Sequence, residues 1–144
     1  MARKMQKILF PVLIFLCCLV NASRADNLAP EGIEGARTIS TTTAKLLFDK
    51  GYPFIDVRGL DDFNKGHIPG AYHLSIRSNF EEQNLHAIVK KNQPVVIYCN
   101  GISCMGSSVA TQKAIEWGWS NIFYYREGIK DWKQQDYPVH EITP

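Results

Sequence analysis

The stretch Pro94-Val95-Val96-Ile97-Tyr98 is the strongest structural signal in the chain, and Cys99 follows it directly. A continuous apolar run of this length, rich in β-branched residues, is typical of a strand buried on both faces at the centre of a parallel sheet. A polar, glycine-containing loop from Asn100 to Gly106 comes next, and a helix is predicted from Ser107 to Trp117, with Gly118 at its C-terminal end. The sequence therefore predicts a strand, a cysteine, a loop and a helix in direct succession.

Short strands and helices alternate on both sides of this unit. The other predicted elements are strands over 38–40, 53–58 and 121–125, a turn leading into a short strand over 68–74, and helices over 41–50, 61–65, 81–91 and 129–134. Such alternation within about 105 residues is typical of βα units. We therefore predict a three-layer α/β domain with a mostly parallel central sheet flanked by helices.

Residues 1–25 have the three-part layout of a secretory signal peptide. Three basic residues within the first seven precede an apolar run, Ile8–Val20, and the small residues Ser23 and Ala25 fit the −3 and −1 positions of a cleavage site. The alternative is an uncleaved membrane anchor, although this run is shorter than the roughly 20 residues that span a bilayer. We expect cleavage after Ala25 and a periplasmic or secreted protein without stable membrane insertion.

The predicted organisation is a signal peptide at 1–25, a leader segment without periodicity at 26–36 and a single domain at 37–144. The whole chain carries 16 Lys and Arg against 14 Asp and Glu. Since the predicted signal peptide contains four basic residues and no acid, the remainder is mildly acidic. This charge argues against a nucleic-acid partner, which usually needs a strongly basic surface.

Cleavage would leave two of the four cysteines, Cys99 and Cys104, in a compartment that tolerates disulfides. A bond between residues so close in sequence adds little chain-entropy stabilisation, so a chemical role is favoured over a structural one. Cys99 lies where ligands bind in a parallel sheet, at the carboxyl end of a strand, and precedes a helix whose N-terminus stabilises a thiolate. The alternative is that Cys99 only ends a buried strand.

Five short motifs support one further interpretation. They are Ile55-Asp56-Val57-Arg58, Gly66-His67-Ile68-Pro69-Gly70-Ala71, Val96-Ile97-Tyr98-Cys99, Gly128-Ile129 with Trp132, and Tyr137-Pro138-Val139. In order and spacing they resemble a single rhodanese domain, from about Arg37 to His140. The resemblance implies a sulfurtransferase in which Cys99 accepts a sulfane sulfur as a persulfide and passes it to cyanide, a thiol or a protein.

The same resemblance implies a small sulfur-containing donor, a thiol or protein acceptor, and no cofactor. Backbone donors for the anionic persulfide are expected in the loop after the cysteine. The residues assigned to substrate binding are Asn100, Gly101, Ile102, Ser103, Met105, Gly106, Ser107, Ser108 and Arg58. Arg58 has an alternative role with Asp56 as a scaffold pair that orients the loop. No metal site is predicted, because the four histidines are scattered.

The loop departs from the common family pattern in charge and in length. It has about two extra residues by comparison with the usual six, and it lacks Lys or Arg between Cys99 and Thr111, which argues against thiosulfate as the natural donor. Cys104 is an additional thiol. We assign Cys99 as the nucleophile and Cys104 as a second catalytic thiol that resolves a Cys99 persulfide or sulfenate. The alternatives are that Cys104 is the nucleophile, or a spectator packed under the loop.

Two other functions remain open. One is a thiol–disulfide redox protein that uses Cys99 and Cys104. The other is a non-catalytic rhodanese-like module that binds a partner. A phosphatase or arsenate reductase is disfavoured, because the arginine that would hold the oxyanion six residues after the cysteine is replaced by Met105.

Overall fold

The computed structural model describes residues 27–143, so the predicted signal peptide lies outside the described residues. Five strands form one parallel sheet in the order β1-β5-β4-β2-β3. The strands are β1 (Ala36–Thr38), β2 (Phe54–Asp56), β3 (Tyr72–His73), β4 (Val95–Tyr98) and β5 (Ile122–Tyr125). The arrangement confirms the predicted α/β class and places β4 at the centre.

Helices connect the strands and cover the sheet. They are α1 (Thr41–Asp49), α2 (Leu60–Asn64), α3 (Glu82–Ile88), α4 (Gly106–Glu116) and α5 (Gly128–Gln134). Helix α1 begins where expected because the Ser40 hydroxyl accepts a hydrogen bond from the Thr43 amide at 3.2 Å. Helix α3 is shorter than predicted, since Val89 is already extended. None of the helices within residues 27–143 has the length and apolarity that crossing a bilayer requires.

Strand β4 supplies the core on both faces of the sheet, as its sequence predicts. Val95 and Ile97 pack with Cys99 on the side covered by α3 and α4. Val96 and Tyr98 pack on the opposite side, against residues of α1 and α5. Strand β4, which leads directly into Cys99, is therefore packed on both of its faces.

Part of the predicted leader segment lies against the domain. The Ala29 amide donates to the Ile102 carbonyl at 2.7 Å, and the Ala29 carbonyl accepts from Arg126 Nε at 2.9 Å. The Pro30 carbonyl accepts from the Tyr124 hydroxyl at 3.1 Å. The segment is thus bound both to the end of β5 and to the loop that follows Cys99.

Candidate active site

Cys99 and Cys104 are joined in the loop between β4 and α4. The two residues form a disulfide with an Sγ–Sγ distance of 2.01 Å and a Cα–Cα distance of 6.5 Å. The Cys104 amide donates to the Gly101 carbonyl at 2.9 Å, and this turn brings the second cysteine back towards the first. Cys99 is only 3% exposed, whereas Cys104 is half-buried. The structure therefore brings together the two predicted catalytic residues and leaves Cys104 the more accessible of them.

Both sulfur atoms lie against the first turn of α4. The helix begins at Gly106, and a Cβ atom at this position would be 3.2 Å from Cys99 Sγ and 3.5 Å from Cys104 Sγ. The first amides of an α-helix have no acceptor within the helix, and the N-terminus carries the positive end of the helix dipole. A thiolate formed at either cysteine is stabilised by this environment.

A cleft of about 570 Å³ opens beside the disulfide. Of the predicted substrate-binding residues, those that line it are Arg58, Asn100, Ser103, Met105 and Gly106. Ile102 is exposed and its carbonyl contacts the leader segment instead. Ser107 and Ser108 are buried in the first turn of α4, where the Ser108 hydroxyl donates to the Met105 carbonyl at 2.8 Å. Only some of the predicted substrate-binding residues therefore line the cleft.

Arg77 lines the same cleft and was missed by the sequence analysis. Its side chain is exposed and makes no ion pair within the described residues. It follows β3, which lies beside β2 in the sheet, so residues after both strands come to the edge that carries Cys99. The sequence signal that could have identified Arg77 is the predicted parallel sheet, because the residues after each parallel strand come to the same edge. A cation beside the neutral loop thus comes from a different element.

Arg58 is held by a buried ion pair. Its Nε and Nη2 atoms donate to the Asp56 carboxylate at 2.6–3.1 Å, and Nη2 also donates to the Gly66 carbonyl at 2.7 Å. Burial lowers the pKa of the Arg58 guanidinium, but the hydrogen bonds and negative charge of Asp56 outweigh that effect and leave this pKa above its ordinary value. Nη1 is 3.5 Å from the Asn100 side-chain oxygen. The contacts suit a residue that positions the base of the loop.

The N-terminus of α5 holds the backbone of Cys99 from the other side. The Cys99 carbonyl accepts from the Ile129 amide at 3.0 Å, and the Asn100 carbonyl accepts from the Lys130 amide at 2.9 Å. Gly128 has a φ of +61°, and a Cβ atom there would lie 2.3 Å from the Cys99 carbonyl oxygen. Glycine at this position therefore allows α5 to approach the cysteine closely.

The histidines near the sheet edge have structural contacts. His67 is buried, stacks on Phe63 and has Nδ1 at 2.8 Å from the Phe63 carbonyl oxygen. Nε2 of His73 is 2.8 Å from the Arg58 carbonyl oxygen. Within residues 27–143, no three His, Cys, Asp or Glu side chains lie close enough to share a metal ion.

Two curated relatives resemble more than half of this chain. The uncharacterized protein YibN of Escherichia coli K12 is 32% identical over 87 residues, which cover 59% of this chain and 58% of YibN. The thiosulfate sulfurtransferase GlpE of Coxiella burnetii is 34% identical over 79 residues, which cover 54% of this chain and 68% of GlpE. The match to YibN thus spans less than two thirds of that protein's length.

Solved structures and family patterns agree on the fold. The BH2092 protein of Bacillus halodurans superposes with a TM-score of 0.66 at 21% identity, covering 74% of this chain and 78% of that one. The sequence pattern of the rhodanese-like domain matches residues 40–135, which include β2 to β5 and the whole cysteine loop. The chain therefore belongs to the rhodanese-like domain family.

Proposed function

We propose that the protein is an exported sulfurtransferase that carries a sulfane sulfur on Cys99 as a persulfide. The observation that carries this proposal is the position of Cys99 Sγ, at the carboxyl end of β4 and against the first turn of α4. The similar protein of Coxiella burnetii is named a thiosulfate sulfurtransferase, which supports the reaction class. Export is proposed from the predicted signal peptide, and N-terminal sequencing of the exported protein tests it, with Asp26 expected as the first residue.

The reaction starts from the reduced loop. The Cys99 thiolate attacks the sulfane sulfur of the donor, the donor's sulfur–sulfur bond breaks, and the leaving group departs with the electron pair. With thiosulfate as donor, that leaving group is sulfite. An acceptor thiolate then attacks the outer sulfur of the persulfide and regenerates the Cys99 thiolate. The α4 amides and the helix dipole stabilise the anionic sulfur in both states.

Sulfur loading tests the proposal directly. After reduction and exposure to thiosulfate or a polysulfide, the Cys104→Ser variant is expected to gain one sulfur, about 32 Da, by intact mass. Peptide mapping should place this sulfur on Cys99. The matched Cys99→Ser variant keeps the other thiol and should gain no sulfur. An adduct on Cys99→Ser would transfer the nucleophilic role to Cys104, and the absence of adducts from both donors would overturn the proposal.

Arg77 is expected to attract anionic donors into the cleft. The Arg77→Glu substitution should raise the KM for thiosulfate about fivefold and leave kcat nearly unchanged, because an exposed charge contributes roughly 1 kcal/mol to binding. Steady-state kinetics at low salt measure the effect, which should shrink as ionic strength rises. Lys90→Glu makes the same change in net charge outside the cleft. Equal KM values for the two variants would contradict the assignment.

The disulfide favours a second candidate function, thiol–disulfide exchange by Cys99 and Cys104. A redox protein of this kind would cycle between dithiol and disulfide in a glutathione buffer and transfer electrons without carrying sulfur. The loading experiment separates the two functions, since only a sulfurtransferase gains sulfur in the Cys104→Ser variant. A protein that neither gains sulfur nor cycles would be a binding module.

A further inference from the structure

We propose that Cys104 allows the loop to release the sulfur carried on Cys99 as hydrosulfide. In this scheme the Cys104 thiolate attacks the persulfide on Cys99, free hydrosulfide leaves, and the Cys99–Cys104 disulfide forms. The proposal rests on the sulfurtransferase function above and adds a second fate for the carried sulfur. It is drawn from the disulfide itself, which is the product expected of this step.

The elements on either side of the loop are intact in the disulfide form. With the disulfide in place, β4 and α4 are complete up to Tyr98 and from Gly106 onward. The Cys99 carbonyl is still held by the Ile129 amide, and the Cys104 amide still bonds to Gly101. The bond that the attack would form therefore fits within this turn, in which the two cysteines have a sequence separation of 5.

Gly106 provides the space in which the two sulfur atoms meet. A Cβ atom placed on Gly106 would lie 3.2 Å from Cys99 Sγ and 3.5 Å from Cys104 Sγ. Glycine therefore leaves this space free for the two sulfur atoms. The Ile76 side chain closes the same space from the β3 side, with Cγ2 at 3.6 Å from that position. Both sulfur atoms thus lie in one small space at the N-terminus of α4. The inner sulfur of a persulfide on Cys99 would lie in the same space.

The step balances in atoms and electrons. The Cys104 thiolate forms a bond to Cys99 Sγ, the bond between Cys99 Sγ and the outer sulfur breaks, and hydrosulfide leaves with that electron pair. The outer sulfur is reduced by two electrons, and the two cysteines are oxidised to the disulfide. Transfer to an acceptor differs, because the acceptor attacks the outer sulfur and the cysteines remain reduced.

A second turnover requires an external dithiol reductant. The burial of Cys99 and the partial exposure of Cys104 direct its attack to Cys104 Sγ. Cys99 then leaves as a thiolate stabilised by the α4 N-terminus, and the second thiol of the reductant releases Cys104 as a thiol. Reduction of the disulfide therefore regenerates Cys99 as the reactive thiolate.

The test is a single turnover in the absence of added thiol. The reduced, desalted wild-type protein is mixed with thiosulfate, and hydrosulfide is measured with a sulfide electrode while intact mass follows the protein. We expect about one hydrosulfide per protein chain and a final mass about 2 Da below that of the reduced protein. Ser120→Ala changes an exposed serine that does not line the cleft, keeps both thiols and should behave as the wild type. Cys104→Ser should keep the added sulfur and release no hydrosulfide until dithiothreitol is added.

The outcomes separate this inference from the proposed function. If Cys104→Ser gains sulfur on Cys99 while the wild type also holds a stable persulfide and releases no hydrosulfide, resolution by Cys104 is overturned and sulfur transfer stands. If Cys104→Ser gains no sulfur from either thiosulfate or a polysulfide, both proposals fail. Release of hydrosulfide by Cys104→Ser at the wild-type rate without added thiol would also overturn the role of Cys104.

Discussion

Replacing Asp56 with asparagine is expected to lower the free energy of unfolding by about 3–5 kcal/mol. Asp56 and Arg58 have side-chain exposures of 0% and 4%, so the substitution leaves a buried guanidinium without its counter-charge. Urea unfolding followed by circular dichroism measures the change. Asp49→Asn is the matched control, because it breaks an ion pair with Lys45 whose side chains are 52% and 25% exposed. That control should lose no more than about 0.5 kcal/mol.

A double substitution separates the buried charge from the loss of packing. Asp56→Asn combined with Arg58→Met removes both charges and keeps an extended side chain at position 58. It should be more stable than Asp56→Asn alone, because no unpaired ion remains buried. If the single Asp56→Asn variant is no less stable than the Asp49→Asn control, the ion pair does not support this edge of the sheet.

The Gly128→Ala substitution is expected to destabilise the protein by at least about 3 kcal/mol and to abolish sulfur loading on Cys99. The alanine would keep a strained backbone at a φ of +61° and would bring a Cβ atom to 2.3 Å from the Cys99 carbonyl oxygen. Because that neighbour is backbone, relief requires α5 or the cysteine loop to move. Chemical unfolding and intact-mass detection of bound sulfur measure the two effects.

Gly51→Ala is the control for backbone strain alone. Gly51 has a φ of +77°, and no atom lies within 4 Å of a Cβ placed there. This variant should lose about 1–2 kcal/mol and retain full sulfur loading. Equal losses from the two alanine substitutions would show that the close approach of Gly128 to Cys99 contributes nothing.

The sequence predicted the fold well because its decisive features are local. The apolar run that forms β4 and the cysteine after it are contiguous, and the cap of α1 depends on Ser40 and Thr43, three residues apart. The observed ends of several helices and strands differ from the predicted ends by a few residues. Helix α4 begins at Gly106, one residue earlier than predicted. Ser107 and Ser108 are buried in its first turn and do not line the cleft.

The parts of the site that depend on distant contacts could not be predicted in the same way. Arg77 reaches the cleft because β3, a strand of two residues, pairs beside β2, and so short a strand has little periodicity to detect. The leader segment contacts the loop through the backbone groups of Ala29 and Ile102, and backbone groups of this kind occur in every sequence. Neither contact has a signature in residue type.

The pairing of β1 with β5 joins residues from opposite ends of the domain. Arg37 pairs with Phe123, so β1 and the leader before it can join the sheet only after almost all of the domain has been synthesised. Contacts between residues so far apart form slowly, because a long loop must close first. The Cys99–Cys104 bond spans a sequence separation of 5 and has no such requirement. We therefore expect the turn that brings Cys104 back to Cys99 to form early, and the leader to bind the loop last.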